Sequence, residues 1–216
     1  MRYSYNTNAF DRIQNEQDAY WLGFILADGY VSDSDKKPLL QIKLAHKDKR
    51  HLEKFAKYLG YNSNHIIKDC SGGAYTQDNL CHVIKISNKN IVQNLSQYGL
   101  SGAKSGKEIP TILGDNNLAA AYVRGIFDGD GYISTYDDRI GIVGSFETCL
   151  YVKNFFEKTL IEKIPNNILK HGTIYRFNIT SKKLANRALD ILYQHADIYL
   201  DRKYQLYLKR KNCVPC

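Results

Sequence analysis

No apolar run in the 216 residues approaches the length needed to span a bilayer. The N-terminus, Met-Arg-Tyr-Ser-Tyr-Asn-Thr-Asn, is polar and shows no secretory signal. These two absences predict a soluble, intracellular protein. Cysteine is scarce too: five residues, an odd number and widely spaced, argue against a disulfide framework. Cys213 and Cys216 form a Cys-x-x-Cys, but Cys70 and Cys81 lack close ligand spacing and no His pair accompanies them, so reduced thiols are expected rather than zinc. Acidic residues are outnumbered, 22 against 30 Lys and Arg, which leaves a net charge of +8 beside 17 tyrosines. A basic surface interleaved with aromatics suits a polyanionic partner, met chiefly through its phosphates. The length fits one large domain or two small ones.

What the chain does have is a repeat. Ala19-Tyr-Trp-Leu-Gly-Phe-Ile-Leu-Ala-Asp-Gly-Tyr-Val-Ser32 returns as Ala121-Tyr-Val-Arg-Gly-Ile-Phe-Asp-Gly-Asp-Gly-Tyr-Ile-Ser134. Ala19, Gly23 and Ala27 match Ala121, Gly125 and Gly129, a small residue at every fourth position. That spacing keeps the small residues on one helix face and lets two backbones approach closely. Each copy closes with Asp-Gly, and Gly29 and Gly131 are placed to stop the helix in a left-handed turn. Two helices packed along their small faces would bring Asp28 and Asp130 together, and a pair of carboxylates presented this way predicts a metal site. The backbone oxygens of Ala27 and Gly129 are candidates to complete its shell. Hard oxygen ligands favour Mg²⁺.

The repeat extends beyond the motifs. Leu40, Ile42 and Leu44 alternate with Gln41 and Lys43 as in a half-exposed strand, and an amphipathic helix follows with Leu52, Phe55 and Leu59 on one face and Gly60 at its end. The second half answers with a strand over 139–145 and a helix bearing Val152, Phe155 or Phe156, and Leu160. Gly-containing turns near Ser71-Gly-Gly73 and His171-Gly172 precede a further strand and helix in each half, with Val83 through Ile91 matching Arg176 through Leu184. The order helix, two strands, helix, two strands, helix predicts an α+β protein of two pseudo-symmetric αββαββα halves, each an antiparallel sheet with helices on one face. The expected boundaries are 1–98, a Gly/Ser/Lys-rich linker at 99–117, and 118–216 with a C-terminal basic helix. Asn116 or Asn117 is the expected cap of the second motif helix.

Against a nine-residue motif, the chain reads Trp21-Leu-Gly-Phe-Ile-Leu-Ala-Asp-Gly29 and Val123-Arg-Gly-Ile-Phe-Asp-Gly-Asp-Gly131. This resembles the LAGLIDADG homing endonucleases, in the double-motif, monomeric form, and the resemblance covers nearly the whole chain. It implies a saddle of two sheets on double-stranded DNA, Asp28 and Asp130 as metal ligands each serving one strand, and Mg²⁺-dependent double-strand cleavage. The earlier acidic position is Asp128 in the second copy but Leu26 in the first. The resemblance further implies that Lys89 and Lys182, at the turn from the fourth strand to the following helix, support the scissile phosphate, and that His46 contacts active-site water. The place matching His46 in the second half is Ser145 or Gly144.

On the open faces, alternation nominates Tyr30, Ser32, Ser34, Gln41, Lys43 and Lys85, and in the second half Tyr132, Ser134, Tyr136, Arg139, Arg176 and Asn178, as DNA contacts. The halves differ at most of these places, which predicts a long, non-palindromic target read by a monomer. An intron-RNA maturase or a non-cleaving DNA-binding protein on the same fold is the alternative. The resemblance also raises an intron-encoded or intein-derived origin; the opening Met1 and the absence of a His-Asn ending give no sign of splice junctions.

Overall fold

A computed structural model of the chain describes residues 5–32, 36–69, 80–102 and 107–212. Cys70, Ser34, the turn at 71–73, Cys213 and Cys216 lie outside them. By its contacts the chain divides into two units, Met1–Ile13 with Asp28–Ala103, and Gln14–Ala27 with Lys104–Cys216. The repeat boundary would leave the first motif helix with the first half; its contacts build it, up to Ala27, into the second unit. Among the described residues no helix is long and apolar enough to cross a membrane.

The first unit is a four-stranded antiparallel sheet, ordered β1-β2-β4-β3, from β1 (Gly29–Val31), β2 (Leu40–Ala45), β3 (Ile67–Asp69) and β4 (Cys81–Ile86). Helices α2 (Lys49–Leu59) and α3 (Lys89–Ser96) complete it. The alternation read from the sequence holds: Leu40, Ile42 and Leu44 are buried, and α2 packs on β2 and β4 through Leu52, Phe55 and Leu59. Gly60 ends α2 in the left-handed region at φ 66°, donating its N–H to the Ala56 and Lys57 carbonyls. Asn88 caps α3 by accepting from Ile91 N at 3.0 Å.

The second unit repeats the sheet as β5-β6-β8-β7, from β5 (Gly131–Ile133), β6 (Ile140–Gly144), β7 (Leu169–His171) and β8 (Ile174–Ile179). The motif helices α1 (Glu16–Asp28, to Ala27) and α4 (Asn116–Asp130) belong here with α5 (Phe146–Leu160), α6 (Lys182–Tyr193) and α7 (Asp201–Asn212). Asp115, rather than Asn116 or Asn117, caps α4, its carboxylate accepting from Asn117 N and Leu118 N. An ionised side chain at the positive end of the helix gains from the macrodipole as well as from the hydrogen bonds. Both Phe155 and Phe156 of α5 are buried, α5 packs on β6 and β8, and α7 lies against α6 and β5.

Helix α1 is buried on every side from Ala19 to Leu26, as expected where an apolar helix runs through a core. The small residues act as the spacing predicted. A Cβ on Gly23 would lie 2.1 Å from the Tyr122 carbonyl oxygen, and one on Gly125 2.0 Å from that of Tyr20. The two motif helices therefore cross backbone against backbone at these glycines.

Candidate active site

Each motif helix runs directly into a strand. Asp28 closes α1 and Gly29 opens β1; Asp130 closes α4 and Gly131 opens β5. This corrects the expected left-handed turn, because Gly131 is extended (φ −85°, ψ 169°) and Gly29 is not among the left-handed glycines. Gly131 is required for space: a Cβ there would lie 2.5 Å from both the Phe127 carbonyl oxygen and Phe127 Cδ2. Asp28, in the first unit, is exposed, and Asp130, in the second, is half-buried. Burial pushes the Cys149 thiol up to about 11, opposed by a backbone hydrogen bond from Phe177 and assisted by the charge of Asp130.

The last turn of α4 carries a polar cluster that the repeat did not announce. Asp128 is buried, and its carboxylate accepts from Tyr20 Oη at 2.7 Å, Tyr193 Oη at 2.6 Å and Leu200 N at 2.7 Å. Burial raises its pKa, against the ammonium of Lys203 and these three donors, which lower it. Lys203 is itself only 2% exposed and spends its ammonium on the Phe127, Asp128 and Gly129 carbonyls at 2.5, 2.7 and 3.4 Å. A resident cation thus satisfies the orphan carbonyls at the negative end of α4. Arg124, also buried, donates to the Ile198 and Leu192 carbonyls and to Glu16, tying α4 to α1 and α6.

Strand register sorts the open faces. In the first unit Tyr30 pairs with Gln41 and Gln41 with Lys85, while Lys43, beside Val83 and ion-paired to Asp69 at 3.0 Å, follows two residues along. In the second, Tyr132 pairs with Gly141 and Gly141 with Asn178, while Val143 stands beside Arg176. Ser32 is a correction: β1 ends at Val31, and the Ser32 hydroxyl is buried in a turn, donating to the Lys37 carbonyl and accepting from Leu39 N. Ser134 likewise accepts from Tyr136 N and Asp137 N in the loop before β6. Tyr136 on that loop is fully exposed, and Arg139 pairs with Asp137 at 2.6 Å.

Residues 15–99 match the description of a LAGLIDADG-like domain. The chain carries the LAGLIDADG fold. The homing endonuclease I-DmoI superposes with TM-score 0.60 at 17% identity, over 93% of this chain and 98% of that one. In a complex with DNA and Ca the same protein gives 0.56 over 88% and 92%, again at 17% identity. I-GzeII with its DNA target gives 0.59 at 14% identity, over 93% and 89%. Full-length DUF199/WhiA from Thermatoga maritima gives 0.56 at 15% identity over 97% of this chain, which spans 66% of that protein. No curated protein sequence matches the chain.

Within the LAGLIDADG fold, register separates the predicted supporting residues. Gly29 pairs with Ile42, so the preceding Asp28 stands level with Lys43 and Val83. Lys89 opens α3 beyond Ile86, three strand residues or about 10 Å further along β4. Lys182 opens α6 in the same relation to Asp130 and lies 3.9 Å from Asp138, in the loop between β5 and β6. Both predicted lysines are thus at the sheet end remote from the motif carboxylates, and Lys43 and Arg176 are the basic residues at their level. His46 follows β2 at the near end, its ring tilted by 30° against that of buried His82 with centroids 5.1 Å apart. Its expected counterpart is Ser145 or Gly144: Gly144 ends β6, and Ser145 is buried as the cap of α5, accepting from Thr148 N and donating to the Glu108 carbonyl.

Proposed function

We propose that the protein is a site-specific DNA endonuclease of the homing type, cutting both strands of a long non-palindromic target with Mg²⁺ or a similar divalent cation. One observation carries the reading: both repeat copies end a buried helix on a solvent-reachable carboxylate at the root of a sheet with a polar, basic open face. The net charge of +8 supports a polyanionic partner. So do I-GzeII and I-DmoI, whose structures hold DNA.

The donor set fits magnesium. Among the described residues no three His, Cys, Asp or Glu side chains cluster as a metal cage. Magnesium is ordinarily held by one or two carboxylates together with water and substrate phosphates. When bound, such an ion lowers the pKa of a water and steadies charge on the leaving oxygen. Asp28 would hold one such ion with the Ala27 carbonyl, and Asp130 another with that of Gly129. The Gly129 oxygen is already shared with Lys203, so the second site leans more on its carboxylate. Lys43 and Arg176 neutralise phosphate charge at that level, and His46 moves a proton at the near end of β2. Lys89 and Lys182 engage phosphates away from the scissile bond.

A non-cleaving DNA-binding protein is the second reading, favoured by the match to DUF199/WhiA. Incubation of the full chain with a randomised DNA library in Mg²⁺, followed by sequencing of broken ends, separates the two. Enrichment of a defined double-strand break is expected; sequence-selective binding with no break under any divalent ion would overturn the nuclease reading.

A further inference from the structure

The solvent side of α2 carries a row of charge that the open sheet faces do not use. Residues 47–57 hold five cations, Lys47, Lys49, Arg50, Lys54 and Lys57, against two acids, Asp48 and Glu53. Lys49 pairs with Glu53 at 3.0 Å and Asp48 is buried, so the other four cations set the character of this surface. At about 100° per residue, Arg50, Lys54 and Lys57 fall within about 60° of one another around the helix. Leu52, Phe55 and Leu59, which pack toward β2 and β4, fall on the opposite side. Lys47 stands three residues ahead of Arg50, in the turn before the helix, and extends the row. Lys47, Arg50 and Lys57 are exposed and make no ion pair among the described residues.

A row that served only to solvate its helix would be expected in both halves. The helix in the same place in the second unit, α5, instead exposes Glu147, Leu150, Asn154 and Lys158, with no net charge. Residues 47–57 expose no large apolar side chain, which a helix seated in a membrane surface needs. Nor does the row offer an aromatic ring on which an unpaired base could stack. What it offers is positive charge in a line about 15 Å long. B-DNA sets one phosphate per about 3.4 Å along each strand, so four cations meet about four phosphates. The major groove of B-DNA admits a helix, whereas that of A-form RNA is deep and narrow. The body of the helix, about 10 Å across, and the sheet separate this row from Lys43 and Lys85. That is about a Debye length at 0.1 M salt, so a duplex lying on the open face leaves the row uncovered.

Resting on the reading of the open face as the site of a first duplex, we infer that the outer face of α2 is a second, sequence-independent site for duplex DNA, so that one molecule holds two DNA segments at once. Such a molecule passes between neighbouring segments without full release. The test mixes the full chain, one to one with a donor-labelled duplex that it selected in Ca²⁺ from a randomised library, with an acceptor-labelled duplex of unrelated sequence. Energy transfer between the labels is read against salt. The parent should join the two duplexes in a complex that sedimentation velocity shows to hold one protein. The logarithm of affinity for the second duplex should fall against the logarithm of salt with a slope of about −3 to −4. Arg50→Gln/Lys54→Gln/Lys57→Gln should shrink that slope by roughly three, and Lys57→Gln alone by roughly one, with melting and binding of the selected duplex parental in both. Equal transfer in the parent and the triple variant would overturn the inference and leave the open-face reading intact, as would a bridged complex holding two proteins. Stronger capture of an RNA duplex or of anionic vesicles than of the unrelated DNA would overturn it too, and so would loss of the selected duplex in the triple variant. A parent that selects no sequence would instead overturn the open-face reading, and capture of the unrelated duplex that the triple variant loses would then still report the α2 site.

Discussion

The two sheets share one strand order and one register, yet their open faces are not copies. Lys43 on β2 is answered by Val143 on β6, and Val83 on β4 by Arg176 on β8, so the basic residue level with each motif end sits on a different strand. Gln41 and Lys85 are answered by Gly141 and Asn178. The motif helices diverge in the same way: Leu26 of α1 is simply buried, whereas Asp128 of α4 gathers two tyrosines, a backbone N–H and the charge of Lys203. Backbone packing constrains both copies through their glycines, and side chains that do not touch that crossing have been free to differ. The difference teaches that the scaffold is duplicated but the supporting chemistry is not.

The largest expected effect lies in the Asp128 cluster. Asp128→Leu should destabilise by about 3–5 kcal/mol in urea unfolding, because it removes the counter-charge of the buried Lys203 ammonium and leaves the Tyr20, Tyr193 and Leu200 donors without their acceptor. Adding Lys203→Met should recover part of the loss; a double variant as unstable as the sum of the singles would break the proposed coupling. Next is the helix crossing. Gly23→Ala and Gly125→Ala should each cost about 1–3 kcal/mol or more by overpacking, since backbone rather than a flexible side chain blocks the methyl. A parental unfolding midpoint in either variant would rule out the backbone contact.

How much of this was legible beforehand depended on whether the signal was local. The duplicated motif, the small-residue stripe, the β2 alternation and the apolar face of α2 are periodic patterns within short windows, and the structure realises them. The Asp128 cluster was not legible, because its partners Tyr20, Tyr193 and Leu200 come from distant parts of the chain and look ordinary where they stand. Arg124 inside an otherwise apolar helix was the available clue, since a buried guanidinium demands partners. A period of two does not reach Ser32, because β1 ends at Val31. Lys89 and Lys182 were correctly read as equivalent; only pairing register shows that both lie at the far end of their sheets. The Asp-Gly pair suggests a left-handed stop at Gly131, whereas its lack of a Cβ matters for the close approach of Phe127.

Smaller effects sharpen the contrast between positions. In a cleavage assay, Lys43→Ala should slow cutting about tenfold or more, while Lys89→Ala should weaken binding with a milder change in turnover once DNA is saturating. The reverse order would restore the terminal lysines as the catalytic support. His82 provides a pH test within the first unit. Burial first, then His46, Lys49 and Lys68, lower its pKa, with Glu53 opposing. A folded-state pKa depressed below the unfolded value contributes stability above about pH 6.5 that is lost as pH falls through the folded value. Melting temperature should therefore drop from pH 7.5 to 5.5 by more in the parent than in His82→Phe; equal drops would show that the imidazole is not responsible.

The most direct measurement of the central claim is strand cleavage by Asp28→Asn and Asp130→Asn on a selected supercoiled target. In Ca²⁺ both variants should bind as tightly as the parent or somewhat better, having lost a negative charge near phosphate. In Mg²⁺ neither should linearise the target. Parental double-strand cutting by either variant would contradict the assignment of the two motif carboxylates as the metal-holding groups.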